Sequence, residues 1–392
     1  MNDIHNNPVE QSTTIINKNK GKVDKSKWEY NKLIDVAPIS QYKGTIRPKN
    51  EKYWLLNLDM IESNSGKILD KVYVQKEEIG SSTITFNKNN VLWSKLRPYL
   101  NKVVMPMGEG YATSELIPLR PSKTIDRTFL AYLLRSNWFV KQMNTSAEGA
   151  RMPRASMKTF RELFIQYPAL PEQQAIVLEL DTLQSLITQY REQLNDYDKL
   201  AQSIFYEMFG DVIVNEKGWE TKTIKSLFIN RDSERIPISS KKRETKKKIY
   251  NYYGAAGVID KIDKYLFNEP LLLIGEDGAN LVTCIKPNAI IARGKYWVNN
   301  HAHVLQCKND IDILYACYCF NLIDISMYIT GVAQPKLNQA NLNRIVMPLP
   351  PLPLQQQFAT RIESIEAQKT LIKQQLSDVQ TLFDSRMQYY FN

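Results

Sequence analysis

The 392-residue chain is 43% hydrophobic and 10% aromatic, enough for two buried cores of ordinary size. Its four cysteines (Cys284, Cys307, Cys317 and Cys319) form no CxxC pair, which excludes a disulfide framework and a zinc ribbon and fits a reducing cytoplasm. A formal charge of +10, with a pI near 9.1, points to a polyanionic partner.

Residues 1–25 are polar, lack the apolar core of a secretory signal, and read as a flexible tail. Residues 26–170 read as a first globular domain. Trp28 lies near its start, and strand-like runs at KVYV (from Lys71), STITF (from Ser82) and VLWSKL (from Val91) precede one helical run, FLAYLLRSNWFVKQM, from Phe129. The segment WSKLRPYLNK interleaves Lys95, Arg97 and Lys102 with Tyr99, a pattern suited to phosphate contact around an aromatic ring, although a solvated surface strand has the same composition. The loop GARMPR sets Arg151 and Arg154 around a permissive glycine and a proline, which suits insertion into a groove as well as an ordinary turn.

Residues 171–210 read as a long helix. Ile176, Leu180, Leu183, Ile187, Tyr190, Leu194, Tyr197, Ala201, Ile204 and Met208 follow the 4-3 spacing of a coiled-coil seam. Pro171 sits where a first-turn proline is tolerated, and Gly210 is the terminator. The patterned stretch of about 37 residues, at 1.5 Å each, makes a rod of roughly 55 Å, too long to pack on one domain alone, so pairing with a second helix is expected.

Residues 211–352 read as a second domain in the same order. Trp219 is near the start, Phe267 precedes the run LLLIGEDGANL, and DILYACYCFNLI from Asp312 matches the helical run. KKRETKKK (Lys241 to Lys248) reads as a mobile, solvated loop. VNNHAHVL, with Asn300 and His301, places His301 and His303 on one strand face with Cys307 beyond, for DNA contacts or structural hydrogen bonds; without further ligands no metal is expected. The apolar stretch Ile311 to Ile329 carries Asp312, Asn321 and Asp324, so a buried helix is expected rather than a membrane span. The loop GVAQPK offers Gln334 and Lys336 as counterparts of the first loop. Residues 353–392 read as a second long helix, with Lys369 and Arg386 breaking its seam and Lys369 placed near Tyr197 for a cation-π contact.

A shift of 182 residues aligns Gly149 to Phe209 with Gly331 to Phe391 without a gap, with 14 of 61 positions identical, including LPEQQ from Leu170 against LPLQQ from Leu352. The fold expected is therefore α/β: two globular α/β domains separated by two long antiparallel coiled-coil helices, with a pseudo-two-fold internal repeat. Removing both helical stretches leaves 45 bases and 30 acids, a balance of +15 on the rest of the chain. The basic field belongs to the domains.

No catalytic motif is legible. GxxxxGK[ST] is missing, the one Pro-Pro pair (Pro350, Pro351) lies in no Asn/Asp-Pro-Pro-aromatic motif, and the ExK triplet at Glu244 lacks a preceding Pro-Asp. KLRPYLNK from Lys95, LPEQQ from Leu170, YYGAAGVIDKIDKYLF from Tyr252, LIGEDGANL from Leu273, NNHAHVL from Asn299 and GVAQPKLN from Gly331 together resemble the specificity (S) subunit of type I restriction-modification systems. The resemblance covers nearly all of the chain beyond the tail. It implies two target recognition domains and a helical ruler, with no catalysis in this chain. The implied partners are double-stranded DNA, two methyltransferase (M) subunits that use S-adenosylmethionine, and motor-nuclease (R) subunits that use ATP and Mg2+; the implied location is the cytoplasm. A fused restriction-methylation enzyme's specificity subunit, or a coiled-coil scaffold that pairs with methyltransferase subunits without reading DNA, are the alternatives. The expected DNA-binding residues are Lys95, Arg97, Tyr99, Lys102, Arg151, Arg154, Asn300, His301, Gln334 and Lys336.

Overall fold

The computed structural model describes residues 24–392, so the tail expected over residues 1–25 lies almost wholly outside the described residues. The chain divides into two compact units. The first runs to Gln189 and takes in Gln375–Asn392, and the second is Tyr190–Gln374.

In the first unit, the strand Glu29–Lys32 pairs antiparallel with Phe164–Tyr167, closing the domain onto its own start. A three-stranded sheet orders Val103–Val104, Val91–Ser94 and Leu116–Leu119. A four-stranded sheet orders Val72–Val74, Tyr53–Leu56, Gly110–Thr113 and Thr83–Phe86, with a parallel pair at its centre. The second unit repeats this plan. Thr221–Thr223 pairs with Val346–Pro348, one sheet orders Phe228–Asn230, Ala302–Cys307, Leu271–Gly275 and Ala289–Ala292, and a second sheet joins Tyr250–Gly254 in parallel to Tyr296–Val298 and antiparallel to Gly257–Ile262. The central strands Val91–Ser94 and Leu271–Gly275 are buried at every position, which is why their sequences are continuous apolar runs rather than alternating ones.

The run from Phe129 is two helices, Arg127–Arg135 and Asn137–Thr145, rather than one. Between them Ser136 adopts extended dihedrals (φ −63°, ψ 148°), and its Oγ accepts from the Phe139 N–H. A serine able to satisfy a free N–H ends one helix and starts the next. In the second unit Asp312 caps Ile313–Leu322 through the Leu314 and Tyr315 N–H groups. Among the described residues no helix is long and apolar enough to cross a membrane.

The long helices are Leu170–Phe209 and Leu352–Phe391, each unbroken over 40 residues. Gly210 follows the first with φ +73°, the left-handed conformation that glycine adopts without strain. The seam is buried at Ile176, Leu180, Leu183, Ile187 and Ala201, and at Phe358, Ile362, Ile365 and Ile372. In the first unit Arg386 and Tyr390 both reach Glu179, and in the second Lys369 reaches Asp198 at 2.7 Å, so the pairing is antiparallel.

The expected stacking of Lys369 on Tyr197 does not occur. The ammonium turns to Asp198 and to Glu366 (2.6 Å) instead, because carboxylates satisfy its donors where a ring face does not. Burial alone lowers the Lys369 pKa, but these hydrogen bonds outweigh it and the net shift is upward. The second helix itself runs unbroken through Lys369 and Arg386.

The basic run KKRETKKK also departs from expectation. Ser240–Glu244 is helical, Arg243 and Lys248 pair with Asp260 at 3.0 and 2.8 Å, and Lys246 pairs with Asp263 at 3.0 Å. Acids in and just after the strand Gly257–Ile262 hold half of the run to the domain.

Candidate nucleic-acid interface

In each unit the loop that follows the central strand meets the glycine-proline loop, and main-chain hydrogen bonds fix the meeting. In the first unit the Lys95 N–H donates to the Glu115 carbonyl (3.0 Å), the Ala155 N–H to the Lys95 carbonyl (2.9 Å), and the Arg97 N–H to the Pro153 carbonyl (2.7 Å). In the second the Glu276 N–H donates to the His301 carbonyl (2.9 Å), the Leu337 N–H to the Glu276 carbonyl (2.8 Å), and the Gly278 N–H to the Pro335 carbonyl (3.0 Å). The correspondence Lys95/Glu276, Glu115/His301, Arg97/Gly278 and Arg154/Lys336 follows directly.

These lattices collect most of the residues singled out in the sequence. In the first unit Arg154 forms a bidentate pair with Glu115 (2.8 to 3.2 Å), and Lys95 lies 4.0 Å from the same carboxylate. The Glu115 hydrogen bond and charge raise the Arg154 pKa. Arg97 has φ +49°, and its Nη2 donates to the Arg151 carbonyl at 3.5 Å while its buried Nε has no partner. Tyr99 is 53% exposed on the turn Pro98–Leu100, and Arg151 is exposed. Lys102 is different: its Nζ donates inward to the Leu58 carbonyl at 2.6 Å.

In the second unit Lys336 pairs with Glu276 at 3.3 Å and His301 with Asp277 at 2.7 Å. Asn300 and Gln334 are exposed. His301 and His303 do not share a strand face. His301 lies on the turn before Ala302–Cys307, half-exposed, whereas His303 is buried, with Nδ1 2.6 Å from Asp232 Oδ2 and Nε2 2.7 Å from the Leu337 carbonyl. The turn breaks the alternation that would have aligned them.

Glu115, Glu276, Asp277, Asp232 and Arg235 escaped the sequence reading. A search for basic and aromatic clusters passes over acids, and Glu115 and Arg154 are 39 positions apart in sequence. LPxQQ did signal its own importance by recurring. Its first glutamine is fully buried in both copies: Gln173 accepts from the Asp126 N–H (2.7 Å) and donates to the Thr124 and Pro168 carbonyls, and Gln355 accepts from the Asp312 N–H (2.9 Å) and donates to the Asp310 and Pro350 carbonyls. Each ties the start of a long helix to the cap of its domain's helix.

Chemically, the two loop clusters present cations, amides and an imidazole on a rigid main-chain frame. Paired acids set the side-chain directions.

Comparison with known proteins agrees with this arrangement. The chain is 26% identical over 187 residues to the type I restriction enzyme EcoDI specificity subunit of Escherichia coli, which covers 46% of this chain and 41% of that one. It is 21% identical over 388 residues to the type I restriction enzyme MjaIX specificity subunit of Methanocaldococcus jannaschii, covering 88% of each. It therefore spans less than half of the EcoDI subunit but most of the MjaIX subunit. The fold is shared with the type I restriction-modification S subunit from M. genitalium (TM-score 0.62, 15% identity, 96% of this chain and 98% of that one). It is also shared with a chain solved in a study of complex assembly and conformational transition of the type I system (TM-score 0.57, 17% identity, 94% and 98%). The family profile described as "Type I restriction modification DNA specificity domain" matches residues 25–196 and again 216–381, so the chain belongs to the type I restriction-modification DNA specificity family.

Proposed function

We propose that this chain reads a bipartite, asymmetric double-stranded DNA target and catalyses nothing itself. The observation that carries the reading is the pair of loop clusters, which share a main-chain hydrogen-bond frame and differ in nearly every side chain on it. A common frame with different side chains suits two readers of different half-sites. Residues 26–170 and 211–352 are the two target recognition domains. Lys95, Arg97, Tyr99, Arg151 and Arg154 serve the first half-site, and Asn300, His301, Gln334 and Lys336 the second; Lys102, turned inward to the Leu58 carbonyl, is left out of the interface. Cations position the duplex through phosphates, while Asn300, Gln334 and the guanidiniums reach base edges.

The long helices, residues 171–210 and 353–392, set the unread gap between half-sites, and a 40-residue helix of roughly 60 Å corresponds to at most about eighteen base pairs. The partners that act on the bound DNA are two methyltransferase subunits, which use S-adenosylmethionine to methylate adenine, and motor-nuclease subunits, which use ATP and Mg2+.

The test is a domain exchange. Replacing residues 26–166 by the same region of another family member, then mapping methylated adenines in cells that carry the matching methyltransferase subunits, is expected to change one half-site and leave the other. Retention of both original half-sites would overturn the reading.

A further inference from the structure

Beneath the second unit's loop cluster lies a group of titratable side chains with no counterpart among the first unit's described residues. Arg235 is its centre, with a side chain only 13% exposed. Its Nη1 donates to Glu276 Oε2 (2.8 Å) and the Ala302 carbonyl (2.7 Å), with the Asn300 carbonyl at 3.5 Å, and its Nε donates to the Asp232 carbonyl (3.0 Å). Asp232 in turn accepts from the Val304 N–H (2.8 Å) and from Asn230 (3.1 Å), and faces His303. Burial drives the Asp232 pKa up, but the hydrogen bond and charge of His303 lead the opposing effects and leave it lowered.

Several of its links end at or beside a proposed DNA contact. Glu276 grips Lys336 with its carboxylate and the His301 carbonyl with its N–H. Arg235 reaches the Asn300 carbonyl, and His303 holds the carbonyl of Leu337, the residue after Lys336. Asp232, Glu276 and His303 have the mutual spacing of a metal set, within 4.8 Å. The cationic partner is already present, however: Arg235 touches both carboxylates, Lys336 touches one, and both ring nitrogens of His303 face oxygens.

The first unit is built differently at the same places. Strand register puts Ile117 where His303 stands, since Ile117 pairs with Trp93 as His303 pairs with Ile274, and Lys95 where Glu276 stands. Its loop is held from the surface, chiefly by the Arg154–Glu115 pair, in which Arg154 is half-exposed, with Lys95 at 4.0 Å from the same carboxylate and Arg97 on the Arg151 carbonyl. An ion pair in water is worth little, while a desolvated, fully hydrogen-bonded network fixes geometry strongly.

We propose that Arg235, Asp232, Glu276 and His303 are positioning residues that lock the second recognition loops from beneath, so that discrimination at the second half-site, and not the first, depends on them. This rests on the reading of the chain as a bipartite DNA reader. The four groups touch no base. They act by fixing where Asn300, His301 and Lys336 stand.

The experiment uses the full chain assembled with its methyltransferase subunits and DNA libraries randomised at one half-site at a time. Arg235→Gln and His303→Ile are expected to raise methylation of targets mismatched in the second half-site, relative to the cognate target, by roughly tenfold, with first-half-site discrimination unchanged. Arg235→Lys, which keeps the charge but not the fork, is expected to restore part of it. Thermal unfolding controls for folding, and if Arg235→Gln does not fold, the Arg235→Lys and His303→Ile variants decide the matter. Unchanged discrimination, or equal loss at both half-sites in a folded variant, overturns the proposal. A wild-type chain whose methylation ignores one half-site overturns the bipartite reading instead.

Discussion

The two units carry one main-chain frame and opposite electrostatics. Where the first has Lys95 beside Glu115, the second has Glu276 beside His301, so the acid that orients the loop cation has moved from one strand end to its neighbour. The cation follows it: Arg154 turns to Glu115, and Lys336 turns to Glu276. The frame survives because its bonds run between backbone groups, which do not depend on residue type. Side chains at the loop tips are thereby free to differ without cost to the fold, which is the property a family of sequence readers requires.

What the units share most closely is the glutamine tie, and it offers the largest test of their equivalence. Gln173→Ala removes three hydrogen bonds from a fully buried site and strands the Asp126 N–H together with the Thr124 and Pro168 carbonyls. A loss of about 2–3 kcal/mol is expected, read by urea denaturation. Gln355→Ala is expected to match it, because its three partners are counterparts of the first three. A difference of more than about 1 kcal/mol between the two would break the equivalence of the units at the very place where their sequences agree best.

That motif also marks the boundary of what was legible. The repeat, the helices and the order of elements could be read, since a 3.5-residue period and recurring LPxQQ are local signals. The function of the first glutamine was not readable: its partners Asp126 and Asp312 lie 47 and 43 positions away. The break at Ser136 was hidden for a different reason. The residues around it favour helix on both sides, and one hydroxyl bonded to the Phe139 N–H decides against continuity. KKRETKKK misled because like charges in a row read as solvated, whereas Asp260 and Asp263 approach only after the chain turns back. Most of the proposed contact residues were visible as basic or polar side chains in loops. Their acidic partners were not, since nothing local distinguishes Glu115 or Glu276 from any surface acid.

A smaller effect separates the units at Arg97 and Gly278. Both occupy positive φ, at +49° and +105°. Arginine gains nothing from such a conformation, so its presence where the other unit has glycine implies a use for the guanidinium. Arg97→Gly is expected to raise stability by about 1 kcal/mol or less, read by thermal unfolding. It is also expected to weaken DNA binding and to reduce the salt dependence of affinity by about one phosphate contact. Gly278→Ala is expected to destabilise by about 1 kcal/mol through backbone strain alone, since a Cβ there meets nothing within 4 Å. Stability lost in Arg97→Gly with DNA binding intact would assign Arg97 to the fold rather than to the interface.

The smallest effect is expected where the seam of the second helix carries Lys369. Its side chain is 12% exposed, but its partners Asp198 and Glu366 are 65% and 45% exposed and stay hydrated if the lysine is lost. Lys369→Leu therefore exchanges a half-desolvated ion pair for apolar burial in a seam already formed by Ile362, Ile365 and Ile372. The two terms nearly cancel, and a gain of less than about 1 kcal/mol is expected in urea denaturation. Arg386 in the first unit is not equivalent, because it binds Glu179 with Tyr390 sharing the same carboxylate, a network of three groups rather than a lysine between two solvated acids. A loss of more than about 1 kcal/mol in Lys369→Leu would show that the second unit's ion pairs hold its helices as firmly as the first unit's do, and would remove this asymmetry from the comparison.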